Sequence, residues 1–287
     1  MLEAVDLGRT LSRARYQKAF PALQERLRQL QYELKDAEIP TIVVFEGWDA
    51  AGKGTVIQRL TERLDPRAFR AHPGAPPSEL EQRYHWLWRY QGHLPEDGRM
   101  VLFDHSWYGR VLVERVEKIV KRKVWSAAYE QINQFERWLT DDGQVLVKFF
   151  FHISGKEQRR RLTRMERDPL ERWKVQKEDW RRNQRYPEWV EAIEEMLART
   201  DTPHAPWTLV EATDARWTRT RVFETLVRQM EQALARRRGA PEAVSRTHLA
   251  LEATRLEREQ RAREQLTLMR SVAEEAGLPL SPEEGEA

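Results

Sequence analysis

The stretch Phe45-Glu46-Gly47-Trp48-Asp49-Ala50-Ala51-Gly52-Lys53-Gly54-Thr55 follows the apolar run Ile42-Val43-Val44 and precedes a helical pattern at Val56, Ile57, Leu60 and Leu64. Gly47 to Lys53 fits the G-x4-G-K part of a phosphate-binding loop, and the strand before it and the helix after it supply the context that motif requires. Gly47 and Gly52 permit backbone conformations closed to other residues, so that successive N–H groups can point into one concavity. The following helix adds free N–H donors and the positive end of its dipole. Lys53 then reaches the outer phosphates as a point charge. The alternative is an ordinary glycine-containing turn between strand and helix. One departure is informative: the motif asks for Ser or Thr directly after the Lys, as a magnesium ligand. Here Gly54 stands in that place and Thr55 comes one position late. Asp49 lies inside the loop, where bound phosphates repel a carboxylate unless a cation sits between them. It reads as a replacement metal ligand, with a turn-forming Asp as the alternative.

Outward from the loop, apolar strands alternate with amphipathic helices. Leu23, Leu27, Leu30 and Leu34 place a helix over 16–38, ended by Pro40. Strands are expected at 42–45, 100–103, 145–151 and 207–210. Ser78 with Glu81 opens a helix carrying Tyr84, Trp86, Leu87, Trp88 and Tyr90. A basic helical stretch runs to Lys123, and Ser126 caps the next helix, phased by Tyr129, Ile132, Phe135, Glu136 and Leu139. Arg159, Arg160, Arg161, Arg164 and Arg167 mark a very basic helix, broken at Asp168-Pro169 and followed by a polar helical region to Met196. A last helix carries Val222, Phe223, Leu226, Val227, Met230 and Leu234. The pattern predicts an α/β fold with a parallel sheet covered on both faces. Ligands of such sheets sit at the carboxyl ends of the strands. Both the loop and Asp104-His105-Ser106-Trp107-Tyr108-Gly109-Arg110 fall there. Residues 1–238 read as one domain, and 239–287 as a charged helical extension and tail.

With 287 residues, 40% hydrophobic and 33% charged, the chain is long enough for a sizeable core beneath a heavily charged surface. There is no cysteine, which removes disulfide and thiol chemistry. No apolar run approaches the roughly 18 residues of a membrane span, and the first residues lack a signal-peptide pattern. A cytoplasmic protein is the expectation. The net charge of +3 is uneven: residues 241–287 hold 6 basic and 10 acidic residues, which leaves a basic excess on the part that holds the loop. That suits an anionic substrate.

Asp104, closing an apolar strand, stands where a carboxylate meets the metal ion on bound phosphates; helix capping is the alternative. Arg110 and Arg115, just past that strand, are candidate phosphate ligands. Arg164 and Arg167 follow, on a segment that Pro169 marks as a mobile lid. Solvated surface is the competing reading for each. Histidines show no metal-ligand spacing, and His105 alone is placed to matter.

These stretches resemble the second family of polyphosphate kinases. The likeness rests on Gly47 to Gly54, Asp104 to Arg110 and Glu114-Arg115-Val116. It also takes in Asp65-Pro66-Arg67, Tyr84-His85-Trp86-Leu87-Trp88-Arg89, Asp168-Pro169 with Trp173-Lys174, and Thr202-Pro203-His204-Ala205-Pro206-Trp207. The resemblance implies a P-loop kinase three-layer sandwich, thymidylate-kinase-like, with a helical lid over 155–195. It implies Mg²⁺-dependent transfer of a phosphoryl group from inorganic polyphosphate to a nucleotide. Asp49 and Asp104 would then hold the metal, with Lys53 and Arg110 on the phosphates. Gly47, Ala50, Ala51, Gly52, Gly54 and Thr55 would line the anion site, with Arg115, Arg164 and Arg167 as further phosphate contacts. Glu114, Trp107 and Arg67 would serve the nucleotide. The chain is most similar to the AMP-phosphorylating subgroup, whose members usually carry two tandem copies where this sequence has one. It departs at His105, where the family often has Arg. AMP, giving ADP, is the expected acceptor. The alternatives are ADP or GDP as acceptor, an ATP-dependent nucleoside-monophosphate kinase, and a non-catalytic polyanion-binding domain. Neither membrane nor nucleic acid is an expected partner, and a homo-oligomer is left open.

Overall fold

The structure, a computed structural model, describes residues 1–239; the expected extension at 239–287 lies, beyond Gly239, outside the described residues. Helix α1 (Arg13–Asp36) buries Leu27, Leu30 and Leu34 of the expected stripe, leaves Leu23 half-buried, and buries Phe20 as well. Strand β1 (Thr41–Gly47) leads into α2 (Lys53–Thr61). Then follow β2 (Phe69–Pro73), the short helix α3 (Trp88–Gln91) and β3 (Met100–Asp104). Next come α4 (Val113–Val116), α5 (Arg122–Asp141), β4 (Val145–His152) and α6 (Gly155–Arg167). The chain continues through α7 (Lys177–Gln184), α8 (Tyr186–Thr200), β5 (Trp207–Glu211) and α9 (Ala215–Gly239). Among the described residues, no helix is long and apolar enough to cross a membrane.

The five strands form one parallel sheet in the order β2-β3-β1-β4-β5. Thr41 to Glu46 of β1 and all of β4 are buried, as expected of parallel strands covered on both faces. The chain turns back across the sheet on either side of β1, and such a switch point opens a crevice at the carboxyl ends of the strands. Gly47 and Asp104 both end there.

Three expectations are corrected. Strand β2 was not foreseen: it is an edge strand with Arg70 and Ala71 exposed, so it carries neither an apolar run nor an alternation to read. The helix expected after Ser78 lasts one 3₁₀ turn (Glu81–Arg83) before Tyr84 becomes extended. Its capping box does form, with the Glu81 carboxylate accepting from Ser78 N at 2.6 Å. Arg89, however, pulls the chain back by donating to Ala75 O at 2.9 Å. The basic stretch after Arg110 is likewise no continuous helix, and α5 starts at Arg122, four residues before Ser126.

Candidate active site

The loop after β1 has the conformation its glycines permit. Gly47 has φ +137°, and a Cβ there would come within 2.5 Å of the Phe151 carbonyl oxygen; Gly52 has φ +100°. Among the described residues, the N–H groups of Ala50, Gly52, Lys53, Gly54 and Thr55 have no acceptor, and Gly54 and Thr55 are exposed. Unpaired donors at the start of a helix make an anion site. Lys53 is buried and donates to Gly47 O at 2.9 Å and Trp48 O at 3.1 Å. An ammonium group has three hydrogens, so one remains for an anion. The Trp48 ring braces the loop, stacked on Tyr186 at 4.0 Å and donating Nε1–H to His152 Nδ1 at 3.0 Å.

Asp49 lies within the loop, and Asp104 ends the neighbouring strand. Asp49 faces Arg182 of α7, at 3.4 and 3.3 Å from its two oxygens. Asp104, paired in register with Phe45, has a buried Oδ1 without a hydrogen-bond partner. A buried acceptor left unmatched is costly and points to a cation. No group of three or more His, Cys, Asp or Glu that would hold a metal occurs among the described residues. Magnesium does not need one: one or two carboxylates, substrate phosphates and water complete its shell.

Behind the pair sits Glu46. Its carboxylate accepts from Ser106 N and Ser106 Oγ, both at 2.8 Å, and lies 3.3 Å from His105 Nδ1. Burial pushes this carboxyl up, but the His105 and Ser106 hydrogen bonds and the charge of Lys53 outweigh it and hold the group below its usual range. His105 itself sits at φ +65°. Glu46 thus fastens the turn after β3 to the end of β1.

A cavity of about 470 Å³ opens from the loop, within the range of small-ligand sites. Glu46, Asp49, Glu114, Arg89 and Arg182 supply its charged groups, while Leu112 and Trp189 are among its apolar walls. Burial raises the Glu114 carboxyl, against the opposing charges of Arg110 and Arg89. On α7, burial also raises Asp179, opposed by the Gln176 N–H and assisted by the negative charge of Asp49.

Of the residues singled out by sequence, Gly47, Asp49, His105 and Glu114 line this cavity. Others are placed elsewhere. Trp107 is fully buried, its Nε1–H donated to Glu136 at 2.9 Å, so it presents no ring to a nucleotide. Arg67 is exposed and paired with Asp65, beside the first residues of β2 and β3 rather than their carboxyl ends. Arg115 is held by Tyr129 Oη at 2.9 Å and Glu195 at 2.7 Å, over the Trp125 ring, and ties helices together. Arg110 pairs with Glu114 at 2.7 Å across the Trp86 ring. Arg164 and Arg167 are exposed on α6. Glu46, Arg89, Asp179 and Arg182 were not foreseen. For Glu46 a signal existed, a carboxylate inside an apolar strand one place before the loop. For Arg182, on a polar helix among many arginines, there was none.

The model of the polyphosphate kinase 2 family matches residues 10–238. This chain belongs to the polyphosphate kinase 2 family. The polyphosphate:AMP phosphotransferase of Pseudomonas syringae pv. tomato is 41% identical over 236 residues, 82% of this chain and 47% of that protein. The ADP-polyphosphate phosphotransferase of Pseudomonas aeruginosa is 38% identical over 79% of this chain and 75% of its own length. A crystal structure of polyphosphate kinase 2 from Arthrobacter aurescens TC1 superposes with a TM-score of 0.77 at 27% identity, covering 81% of this chain and 85% of that one. The chain spans about half the length of the polyphosphate:AMP phosphotransferases it matches. The family's P-loop kinase fold accounts for the parallel sheet and for the site at its carboxyl edge.

Proposed function

We propose that this chain transfers a phosphoryl group from inorganic polyphosphate to a nucleotide, with AMP as acceptor and ADP as product. The observation that carries the reading is the junction of unpaired loop N–H groups, two carboxylates and a nucleotide-sized cavity at one edge of the sheet. The similarity to polyphosphate:AMP phosphotransferases supports it. In the transfer, an acceptor phosphate oxygen forms a bond to the terminal phosphorus of the chain while the bridging P–O bond breaks. The shortened polyphosphate leaves with that bonding pair. Such reactions rest mainly on positioning and charge neutralisation.

The loop N–H groups and Lys53 hold the donor phosphates. The cavity takes the acceptor, with Arg89 and Arg182 as its cationic groups. Asp49 and Asp104 would hold Mg²⁺, a fit supported by the unmatched buried Asp104 oxygen; when bound, the ion would neutralise phosphate charge in the transition state. An ADP acceptor is the second reading, favoured by the similarity to an ADP-polyphosphate phosphotransferase over most of that protein's length.

The test is a product assay with purified protein and Mg²⁺, offering AMP, ADP and GMP with either polyphosphate or ATP. ADP formed from AMP and polyphosphate, and little from ATP, is the expected outcome. ATP as the sole effective donor would overturn the reading.

A further inference from the structure

In a trans peptide the carbonyl and the N–H of one plane point in opposite directions, so gripping a carbonyl aims the donor behind it. Three consecutive carbonyls of the loop are gripped from α6. Gln158 Nε2 donates to Asp49 O at 3.3 Å, and Arg161 Nη1 donates to Ala50 O at 3.1 Å and Ala51 O at 3.2 Å. The N–H groups of those peptides belong to Ala50, Ala51 and Gly52. That of Ala51 closes a turn on Trp48 O at 3.1 Å, while those of Ala50 and Gly52 have no acceptor among the described residues.

The grip is itself anchored. Arg161 Nη2 donates to Ala212 O at 2.7 Å and Thr213 O at 2.9 Å, in the turn between β5 and α9, and Nε donates to Glu157 at 2.7 Å. All five guanidinium N–H donors therefore have acceptors in the protein. Gln158 is fully buried, and its Oε1 accepts from Asn183 Nδ2 of α7 at 2.9 Å. Ala50 adopts φ +59°, a conformation disfavoured for a residue with a side chain, so the loop needs such outside support.

We infer that Arg161 and Gln158 are positioning residues: α6 forms a bracket that turns the loop's carbonyls outward and its N–H groups towards the donor phosphates. The inference rests on reading 47–55 as a phosphate loop. It also separates Arg161 from the other arginines of its helix, since all its donors are already spent on Glu157 and on four backbone carbonyls. The part of α6 that carries Gln158 and Arg161 accordingly belongs with the loop, not with a lid that lifts away.

The test compares Arg161→Ala, Arg161→Lys and Gln158→Met with the parent protein, reading kcat/KM for polyphosphate and, separately, tripolyphosphate affinity by calorimetry without nucleotide. Arg161→Ala is expected to lose about tenfold or more in both, the scale of one lost charged hydrogen bond. Arg161→Lys, with three donors for five acceptors, recovers only part. Millimolar guanidinium restores rate to Arg161→Ala but not to Lys53→Ala. Adding Ala50→Gly, which adopts the left-handed conformation freely, restores part of the Arg161→Ala loss; a residue that merely supports the fold would show neither rescue. If Arg161→Ala does not fold, Arg161→Lys and Gln158→Met carry the same reading. Folded variants within twofold of the parent in kcat/KM and affinity would overturn the bracket while Lys53→Ala stayed inactive. A fully active Lys53→Ala would instead overturn the loop reading beneath it.

Discussion

Residues 47–55 and 104–116 leave the carboxyl ends of neighbouring strands, yet they commit their polar groups differently. After β1, most loop N–H groups have no acceptor among the described residues, and the Asp49 carboxylate meets only Arg182 from α7. After β3, nearly everything is used internally. Trp107 and Tyr108 donate to Glu136, Arg110 pairs with Glu114, and Arg115 is held by Tyr129 and Glu195. What remains is the unmatched Asp104 oxygen, the buried Nε–H of Arg110 and half-exposed His105. A basic or aromatic residue near a site thus reveals little until its hydrogen bonds are accounted for. The first segment is built to act on something else, the second to hold its shape.

If that contrast is right, breaking the second segment's support costs stability before it costs chemistry. Beneath it lies an ion pair, Lys148 to Glu136 at 2.7 Å, with both side chains fully buried. Lys148 Nζ also donates to Tyr108 Oη at 2.8 Å and Thr200 O at 2.9 Å. Burial drives the Lys148 ammonium pKa down, against the charge of Glu136. Lys148→Met leaves Glu136 buried without its cation, and removing one partner of such a pair costs about 3–5 kcal/mol. Urea unfolding reads this directly. A loss below about 1 kcal/mol would show that the segment does not depend on the network.

The loop should fail the other way. Lys53→Ala is expected to lower kcat by on the order of 10²–10³, the effect of removing one preorganised charge. Its unfolding midpoint should stay near that of the parent. A Lys53→Ala protein that unfolded readily yet turned over normally would erase the distinction between the segments.

A pH series sharpens the contrast at Trp48. Its indole donates to His152 Nδ1, and burial pushes the His152 pKa down to about 4, with Glu194 opposing. The folded state keeps this ring neutral, whereas the unfolded chain protonates it near pH 6.5. Between those values the unfolded state binds more protons, so stability is full above about pH 6.5 and falls as the pH drops towards 4. The loss is at most about 3 kcal/mol. His152→Gln, which keeps an acceptor but does not titrate, should lack this component; identical acid limbs for variant and parent would remove His152 as its source.

The same contrast explains what could be read in advance. Strand β1, its loop and α2 were legible because their signals are local: an apolar run, glycines at fixed spacing, then a helical stripe. Leu27, Leu30 and Leu34 were legible for the same reason. The position of Glu46 carried a signal, but its role did not, and Arg161 and Arg182 carried neither, because what each side chain does depends on partners 60, 111 and 133 positions away. The buried pair was half visible: Glu136 fell on the apolar stripe of α5 and Lys148 inside the apolar run of β4, but nothing in the sequence joined them. Edge strand β2 gave no signal because none of its residues is buried: Phe69 and His72 are half-buried and the rest exposed.

The smallest effect expected concerns the arginines that looked most prominent. Arg164 and Arg167 are exposed on α6, and Arg164 stands 3.7 Å from Glu171. Charges so exposed act through solvent and are worth about 0–1 kcal/mol. The double variant Arg164→Ala/Arg167→Ala should therefore lose no more than about fivefold in kcat/KM at physiological salt. The deficit should grow as ionic strength falls and the Debye length rises from about 8 to 30 Å. A large loss unaffected by salt would instead mean that these side chains close directly onto the phosphates during turnover. They would then join the loop's side of the comparison, as donors held for the substrate, despite their exposure here.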